Sequence, residues 1–324
     1  MPRTALHLTD PDDFGTAVLA GLTQSHKTIP ARYFYDQAGS ELFEEITRLP
    51  EYYPTRTEVG LLAAHGEDIA VAVGPGRVVV EFGSGSSLKT PGLLQAVAAS
   101  AYVPIDISAE FLQLAADDLA AKLPGVPVLP VAADFTRKLT LPLSVTGLAK
   151  LGFFPGSTLG NCAPPGAVDL LRAFAATLYT ATSTSWLVIG LDLRKDRATL
   201  EAAYDDAAGV TARFNLNLLH RINRELGGTI DVTQFRHRAL WNDDRGRVEM
   251  HLESLGPTIF EVLGQSFSMH ESETIHTENS YKWTLEEARL LARASGWSPV
   301  SAWTDADRLF SLHLWRAAGD VLEP

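Results

Sequence analysis

Short apolar runs alternate with helix-like patterns along the middle of the chain, from about residue 77 to residue 193. Apolar runs bounded by turn residues are typical of buried strands, and their alternation with helices favours a parallel sheet with right-handed crossovers. The predicted strands are Val78–Glu81, Ala101–Asp106, Val126–Ala132, Leu148–Phe154 and Ser185–Leu193. The predicted helices include one from about Ser87 to Ala98 and one from Pro165 to Tyr179. The sequence therefore predicts an α/β fold.

A predicted antiparallel hairpin closes this pattern. The helix Thr284–Ser295 precedes two apolar segments, Trp297–Thr304 and Arg308–Trp315, which are joined by a short turn containing Asp. Such a hairpin is expected at the end of a class I methyltransferase (Rossmann-like) sheet, whereas dinucleotide dehydrogenases usually finish differently. We therefore predict a class I methyltransferase sheet.

Two regions lack the alternation of strands and helices that predicts the sheet. Residues 1–60 look helical and loop-like, and residues 194–283 hold a predicted helix, Arg197–Glu225, before two extended segments, Arg236–Trp241 and Arg247–Leu255, joined by a turn. We predict a methyltransferase domain from 61–193 and 284–324, and a second, smaller and discontinuous substrate-binding lobe from 1–60 and 194–283.

A glycine-rich turn, Gly83-Ser84-Gly85, follows the first predicted strand. Glycine permits backbone angles that other residues avoid and lets a ligand approach the main chain closely. Asp106 ends the next strand 23 positions after Gly83, close to the spacing at which a carboxylate binds ribose hydroxyls. For the glycines alone, an ordinary tight turn is the alternative. The turn and the acid together favour a nucleotide-type cofactor site.

The chemistry of the strand ends favours S-adenosylmethionine over NAD. The third glycine of dinucleotide sites is missing, and Glu81 stands directly before the turn, where it would repel a diphosphate. S-adenosylmethionine has no phosphate, and its ammonium and sulfonium charges can face an acid. A third strand end carries Asp134 and Phe135, a carboxylate for the adenine amino group and a ring to pack on the base.

Composition and net charge argue against some classes of binding partner. A net charge of −12 without any Lys- or Arg-rich run argues against nucleic acids, which require a basic patch. Cys162 is the single cysteine, which excludes an internal disulfide and fits a reducing cytosol. Residues Met1–Gly15 lack a leader pattern, and no window reaches the ~18 apolar residues that span a bilayer. We expect a cytoplasmic protein without nucleic-acid or membrane partners; the sequence is silent on oligomeric state, for which a monomer is the working expectation.

Glu278 and Ser280 lie two residues apart in an extended segment and would project from the same face of a strand. A charged acceptor beside a hydroxyl makes a compact receptor for an N–H-bearing ring such as imidazole. The alternative is a solvated strand face with alternating polar residues.

Further candidates lie in turns and on predicted helices. Asn161 ends a glycine-rich turn, where it can bind a carboxylate and an amine or simply form the turn. Tyr35, Tyr52 and Tyr204 are candidate hydroxyls or core residues, and Met250 is by default core. Scattered histidines lack the spacing of a metal site, so we predict no metal; they are His220, His237, His251, His270 and His276.

Several motifs between about Ser25 and Trp315 lie partly outside the cofactor site. They are Tyr33-Phe34-Tyr35-Asp36, Leu49-Pro50-Glu51-Tyr52-Tyr53-Pro54-Thr55-Arg56, Glu81-Phe82-Gly83-Ser84-Gly85, Gly156-Ser157-Thr158-Leu159-Gly160-Asn161, Tyr204-Asp205-Asp206-Ala207-Ala208-Gly209-Val210-Thr211 and Glu278-Asn279-Ser280. Together they resemble the histidine-specific Nα-methyltransferases that make hercynine for ergothioneine biosynthesis. Ser87 replaces the third glycine of the general methyltransferase pattern, which leaves this resemblance intact.

The resemblance implies a role for each matching residue. The implied S-adenosylmethionine contacts are Gly83, Ser84, Lys89, Asp106, Asp134 and Phe135, with Asp106 on the ribose and Asp134 near the adenine. For histidine, the resemblance implies Asn161 and Tyr204 at the α-carboxylate and amine, Tyr35 and Tyr52 around the amine and ring, Glu278 with Ser280 at the imidazole, and Met250 beside the ring.

The resemblance further implies transfer of three methyl groups in succession to the α-amino group of L-histidine, through mono- and dimethylated forms, with Tyr35, Tyr52 and Asn161 as the catalytic candidates. One alternative is a methyltransferase of the same fold that acts on another aromatic amine. The other is a catalytically silent S-adenosylmethionine-binding regulator.

Overall fold

The computed structural model describes residues 13–85 and 89–318, which form two compact units. Unit 1 comprises residues 1–46, 201–242 and 248–279, and unit 2 comprises residues 47–200, 243–247 and 280–324, each as far as it is described. The first segment of the predicted substrate-binding lobe ends at residue 60, whereas the first segment of unit 1 ends at residue 46. The long helix that begins at Tyr53 belongs to unit 2.

The described residues form the following elements in chain order. The α-helices are α1 Phe14–Leu22, α2 Gln37–Ile46, α3 Tyr53–Val73, α4 Thr90–Ala96, α5 Ala109–Lys122, α6 Pro164–Leu178, α7 Arg197–Tyr204, α8 Val210–Leu226 and α9 Leu285–Ala294. The strands are β1 Lys27–Thr28, β2 Val78–Phe82, β3 Ala101–Asp106, β4 Val131–Ala132, β5 Lys150–Phe154, β6 Trp186–Asp192, β7 Phe235–Asn242, β8 Arg247–Ser254, β9 Thr258–Val262, β10 Gln265–Met269, β11 Thr274–Tyr281, β12 Trp297–Thr304 and β13 Phe310–Ala317.

Unit 2 is built on a seven-stranded sheet with the order β12-β13-β6-β5-β2-β3-β4. Strands β4, β3, β2, β5 and β6 are parallel, and β13 pairs antiparallel with both β6 and β12. The central strands are mostly apolar and are buried on both faces, as helix-covered parallel sheets require. This arrangement is the class I methyltransferase fold, and it confirms the predicted sheet and its closing hairpin.

The third predicted strand is shorter than expected. Of Val126–Ala132, only the last two residues form β4, while Val128 makes an isolated bridge to Tyr102. Pro127 and Pro130 lack backbone N–H donors, so a continuous ladder cannot run through this segment. The helix predicted between the first two strands, from about Ser87 to Ala98, corresponds to α4, which begins at Thr90. Its predicted start at Ser87 lies outside the described residues.

Unit 1 contains a four-stranded sheet with the order β1-β11-β8-β7 and a separate hairpin, β9-β10, that the sequence analysis does not predict. The predicted helix Arg197–Glu225 is in fact two helices. Gly209 adopts φ +69°, and the carboxylate of Asp206 accepts hydrogen bonds from the amides of Val210 and Thr211 at the start of α8. Asp206 is therefore a buried residue that satisfies the first amides of α8, whose N-cap residue is Gly209.

Within the described residues, no helix combines the length and the apolar character that crossing a lipid bilayer requires.

Candidate functional site

The glycine-rich turn lies at the carboxyl ends of β2 and β3. Gly83 and Gly85 both have positive φ, +71° and +49°, which explains why these two positions are glycine. The amides of Gly83 and Ser84 donate to the carbonyl of Ile105, which ties the turn to β3. Asp106 completes the attachment, since its Oδ2 accepts from the amide of Gly85 at 3.1 Å.

Asp134 and Phe135 follow β4 at the same edge of the sheet. Oδ1 of Asp134 accepts from the amide of Thr136 at 2.8 Å, which fixes the side chain in a local turn. The ring of Phe135 packs edge-on against Phe154, with 5.8 Å between centroids. A Cβ atom on Gly83 would lie 3.3 Å from this ring, so a side chain at this position would crowd Phe135.

Glu81 corrects one expectation. The sequence predicts that this acid can face a cationic ligand, but its side chain is only 1% exposed and its Oε2 accepts hydrogen bonds from the hydroxyls of Thr90 (2.6 Å) and Tyr102 (2.5 Å). Burial raises the pKa of this carboxyl group to about 7. Glu81 therefore joins β2 to α4 and β3.

Lys89 pairs with an acid that the sequence analysis does not single out. Its Nζ lies 2.5 Å from Oε2 of Glu58, a fully buried residue of α3. The same carboxylate accepts from the amide of Gly156, at 2.9 Å. Space for it comes from Gly190 on β6, where a Cβ atom would lie 1.8 Å from Oε1 of Glu58. Glu58 thus links the segment after the glycine-rich turn to the loop after β5.

Asn161 lies at the end of a short 3-10 helix after β5, where it is half-buried. Ser157 precedes this helix with φ +57°, and its Oγ accepts from the amide of Asp192. A Cβ atom on Gly160 would lie 2.8 Å from the carbonyl oxygen of Tyr281 and 3.5 Å from Oγ of Ser280. The structure therefore brings the turn that carries Asn161 against Tyr281 and Ser280.

Tyr52 and Ser280 are the other predicted substrate residues of unit 2. Tyr52 directly precedes α3 and is 8% exposed. Ser280 is buried near the end of β11, and its Oγ accepts from Nζ of Lys282 at 2.9 Å. Ser280 is therefore not exposed to solvent.

The remaining predicted substrate residues belong to unit 1. The half-buried Tyr35 packs edge-on against Phe43 and Phe214, with ring centroids 5.7 and 5.8 Å away. Met250 is buried on β8, and its carbonyl accepts from the Thr277 hydroxyl. Glu278 is half-buried on β11.

The backbone of Tyr204 contacts the side chain of His237, which Asn215 holds in turn. Nε2 of His237 lies 2.8 Å from the carbonyl of Tyr204, and Nδ1 lies 2.8 Å from Nδ2 of Asn215. Asn215 also donates to the carbonyl of His251. With the Asn215 amide as donor, His237 is a neutral ring with its proton on Nε2. Burial lowers its pKa, which favours this neutral form.

A group of Glu249, His251 and His276 occupies adjacent strands of unit 1, although the histidines look scattered in the sequence. One potential ligand atom of each residue lies within 4.8 Å of the others. The two rings stack with 4.6 Å between centroids and 18° between planes, and Nε2 of His276 lies 3.0 Å from the carbonyl of Glu278. Because imidazole lone pairs lie in the ring plane, rings stacked in this way do not converge on one ion without rotating.

The edge of unit 2 fits S-adenosylmethionine. Beside the glycine-rich turn it offers a carboxylate at Asp106, and a half-buried carboxylate and ring at Asp134 and Phe135. No atom of the described residues lies within 4 Å of a Cβ atom built on Gly85. Ligands of open parallel sheets bind at this edge, beyond the carboxyl ends of the strands.

A family model described as "Histidine-specific methyltransferase, SAM-dependent" matches residues 14–317. A relative from Mycolicibacterium smegmatis, named histidine N-alpha-methyltransferase, is 39% identical over 303 residues, which cover 92% of each chain. A protein of Neurospora crassa named ergothioneine biosynthesis protein 1 is 29% identical over 89% of this chain and 33% of its own length. The 4-dimethylallyltryptophan N-methyltransferase of Claviceps purpurea is 25% identical over 91% of this chain and 92% of its own.

Proposed function

We propose that this protein methylates the α-amino group of L-histidine three times to give hercynine in ergothioneine biosynthesis. The chain belongs to the family of S-adenosylmethionine-dependent, histidine-specific methyltransferases. The match of the family model to residues 14–317 carries this proposal. The half-buried Glu278 and the buried Ser280 supply the polar pair that an imidazole ring needs, which favours histidine over an apolar aromatic amine.

S-adenosylmethionine, when bound, supplies an electrophilic methyl group on a positively charged sulfur. We assign its ribose to Asp106, its adenine to Asp134 and Phe135, and its remaining contacts to Gly83, Ser84 and Lys89. The two amide-bonded carboxylates are held by their own loops before any ligand arrives, so little ordering entropy is lost on binding.

Each of the proposed substrate residues has one role. Asn161 and Tyr204 bind the α-carboxylate and amine, and Glu278 with Ser280 binds the imidazole ring. Met250 contributes an apolar surface beside the ring. The contribution of these residues to catalysis is alignment of the amine and exclusion of water.

The amine is a nucleophile only without its extra proton, and most of it is protonated near neutral pH. Each of the three transfers therefore requires a proton to leave. Tyr35 or Tyr52 receives this proton through bound water in the proposed mechanism. The mono- and dimethylated histidines are substrates of the same site, and no metal takes part. We further propose that the enzyme works as a monomer in the cytoplasm.

Mass spectrometry of products tests the function directly. The purified protein, incubated with L-histidine and S-adenosylmethionine, should yield species carrying one, two and three added methyl groups, with the last accumulating. Tryptophan and other aromatic amino acids in parallel reactions test the substrate class. Faster methylation of one of these than of histidine would contradict the proposal, and so would S-adenosylmethionine binding without any product.

A further inference from the structure

A buried histidine ties the last turn of α7 to β7. The side chain of His237 is 1% exposed, and its Nε2 lies 2.8 Å from the carbonyl oxygen of Tyr204, the last residue of α7. Carbonyl groups in the last turn of a helix have no donor within the helix and need one from outside it. Oδ1 of Asp205 lies 4.0 Å from the same nitrogen, which is too far for a hydrogen bond. The Tyr204 carbonyl is therefore the acceptor that faces Nε2.

Asn215 decides which nitrogen of this ring carries the proton. It is fully buried, and its Nδ2 lies 2.8 Å from Nδ1 of His237 and 3.1 Å from the carbonyl oxygen of His251. If the amide were turned round, its oxygen would face that carbonyl, and two acceptors would be in contact. In the observed orientation the Thr277 hydroxyl donates to Oδ1 at 2.8 Å. Nδ2 therefore donates to Nδ1, which leaves the proton of the neutral ring on Nε2, facing Tyr204.

The same hydrogen bonds reach the strands that carry two other proposed L-histidine contacts. Thr277 directly precedes Glu278 on β11, and its hydroxyl lies 3.1 Å from the carbonyl oxygen of Met250 on β8. The path from Thr277 to Tyr204 passes only through the two side chains described above, and all of these residues belong to unit 1. Buried polar groups that are bonded in this way hold the elements that carry them in one arrangement.

We propose that His237 is a positioning residue: by donating from Nε2 to the carbonyl of Tyr204, it holds this tyrosine where it binds the α-carboxylate and amine of L-histidine. This inference rests on the proposed function and on the assignment of Tyr204 to that end of the substrate. The hydrogen bond fixes the backbone from which the tyrosine side chain projects. Loss of the bond should therefore weaken contacts with the amino-acid end of the substrate and spare those with its ring.

Two substitutions of His237 separate the two contacts of its ring. In His237→Gln the amide nitrogen takes the place of Nε2 and keeps a donor for Tyr204, whereas in His237→Asn the amide oxygen takes the place of Nδ1 and keeps only the contact with Asn215. Calorimetric titration with L-histidine is done in the presence of S-adenosylhomocysteine. His237→Asn should lower the affinity about tenfold, and His237→Gln should stay within about threefold of the wild type. Equal losses in the two variants overturn the positioning role.

A ring analogue distinguishes a displaced Tyr204 from a general loosening of unit 1. The compound 4-methylimidazole has the ring of the substrate but neither its amine nor its carboxylate, and its affinity is measured as inhibition of methylation. His237→Asn should leave this inhibition and the affinity for S-adenosylmethionine within about twofold of the wild type. A loss for 4-methylimidazole equal to that for L-histidine overturns the inference.

The exposed His220 of α8, changed to asparagine, is the matched control and should bind both compounds like the wild type. Failure of the wild type itself to bind or methylate L-histidine would instead refute the proposed function.

Discussion

Lys89 and Glu58 form an ion pair of 2.5 Å in which the carboxylate is fully buried and also accepts from the amide of Gly156. Removing the ammonium leaves this charge without its cation, which costs more than losing an exposed pair. We expect Lys89→Met to lower the free energy of unfolding by about 3 kcal/mol. Glu58→Gln in the same chain should restore part of the loss, because it removes the unpaired charge.

Urea unfolding of the two single variants and the double variant measures the coupling between Lys89 and Glu58. Lys122→Met is a suitable control, because its pair with Asp118 is 64% and 63% exposed and should contribute less than 1 kcal/mol. Similar losses for Lys89→Met and Lys122→Met would show that burial does not govern this pair.

Asp106→Ala should weaken S-adenosylmethionine binding by roughly 1.5–3 kcal/mol, about 10- to 150-fold, because a charge-assisted hydrogen bond to the ribose is lost. The structure adds a second effect, since Asp106 also accepts from the amides of Gly85 and Ser108 and its loss loosens the glycine-rich turn. Calorimetric titration measures the affinity. Asp117→Ala, on the exposed face of α5, should bind like the wild type.

Asn161→Ala should depress histidine affinity and turnover and leave S-adenosylmethionine affinity within about twofold, because we assign its amide to the amino acid. Asn161→Asp keeps the size of the side chain but brings a negative charge toward the α-carboxylate, so it should be worse than alanine. Separate titrations with histidine and with S-adenosylmethionine measure which of the two affinities each variant lowers. A loss confined to S-adenosylmethionine would move Asn161 to the other site.

Glu278→Ala should weaken histidine binding by ~1–3 kcal/mol, about 5- to 150-fold, because the ring N–H then lacks its acceptor. Cofactor affinity should not change. Relative activity should shift toward larger aromatic amino acids whose rings need no such acceptor. Steady-state kinetics with histidine and tryptophan measure the shift. The exposed Glu271, changed to alanine, is the matched control, and an unchanged substrate ratio in Glu278→Ala would remove this reason for naming histidine.

Glu81→Gln should change how stability depends on pH. The native pKa of about 7 lies above the usual glutamate value of 4.5, so the native state holds this proton more tightly than the unfolded chain. Its stabilising effect is complete below about pH 4.5 and disappears as the pH rises through 7. The wild type should therefore lose about 3 kcal/mol of unfolding free energy relative to Glu81→Gln between pH 4.5 and pH 8.

Urea unfolding of both proteins across this range gives the difference curve for Glu81. His313 contributes in the opposite direction, because burial lowers its pKa to about 4 and its stabilising effect is lost as the pH falls below 6.5. Since both proteins contain His313, its contribution cancels in the comparison. A flat difference curve would refute the raised pKa of Glu81.

The sequence is most informative where local patterns decide the structure. The buried strands β2, β3, β5 and β6 are continuous apolar runs, and the closing hairpin has clear turns, so their positions are confirmed to within about two residues. The prediction fails where a local pattern conflicts with chemistry that it ignores: Pro127 and Pro130 shorten β4, and Asp206 interrupts an apparently continuous helix.

The sequence is least informative about partners that lie far apart in the chain. Asp106 and Asp134 can be proposed from the sequence because each follows a strand, and the carboxyl ends of parallel strands lie at one edge of the sheet, where ligands bind. Nothing local connects Glu58 with Lys89, or Lys282 with Asp192, because those contacts exist only after the sheet has formed. The supporting roles of such residues require the three-dimensional arrangement.

Strand β13 lies between β6 and β12 in the sheet of unit 2, although it is translated after both. A nascent chain therefore presents β6 with an open edge until residues 310–317 have left the ribosome. Exposed edges of apolar strands invite pairing with other chains. A message truncated before codon 310 would yield a protein that keeps every residue assigned here to either substrate and still exposes this edge, which makes it a target for chaperones and proteases during synthesis.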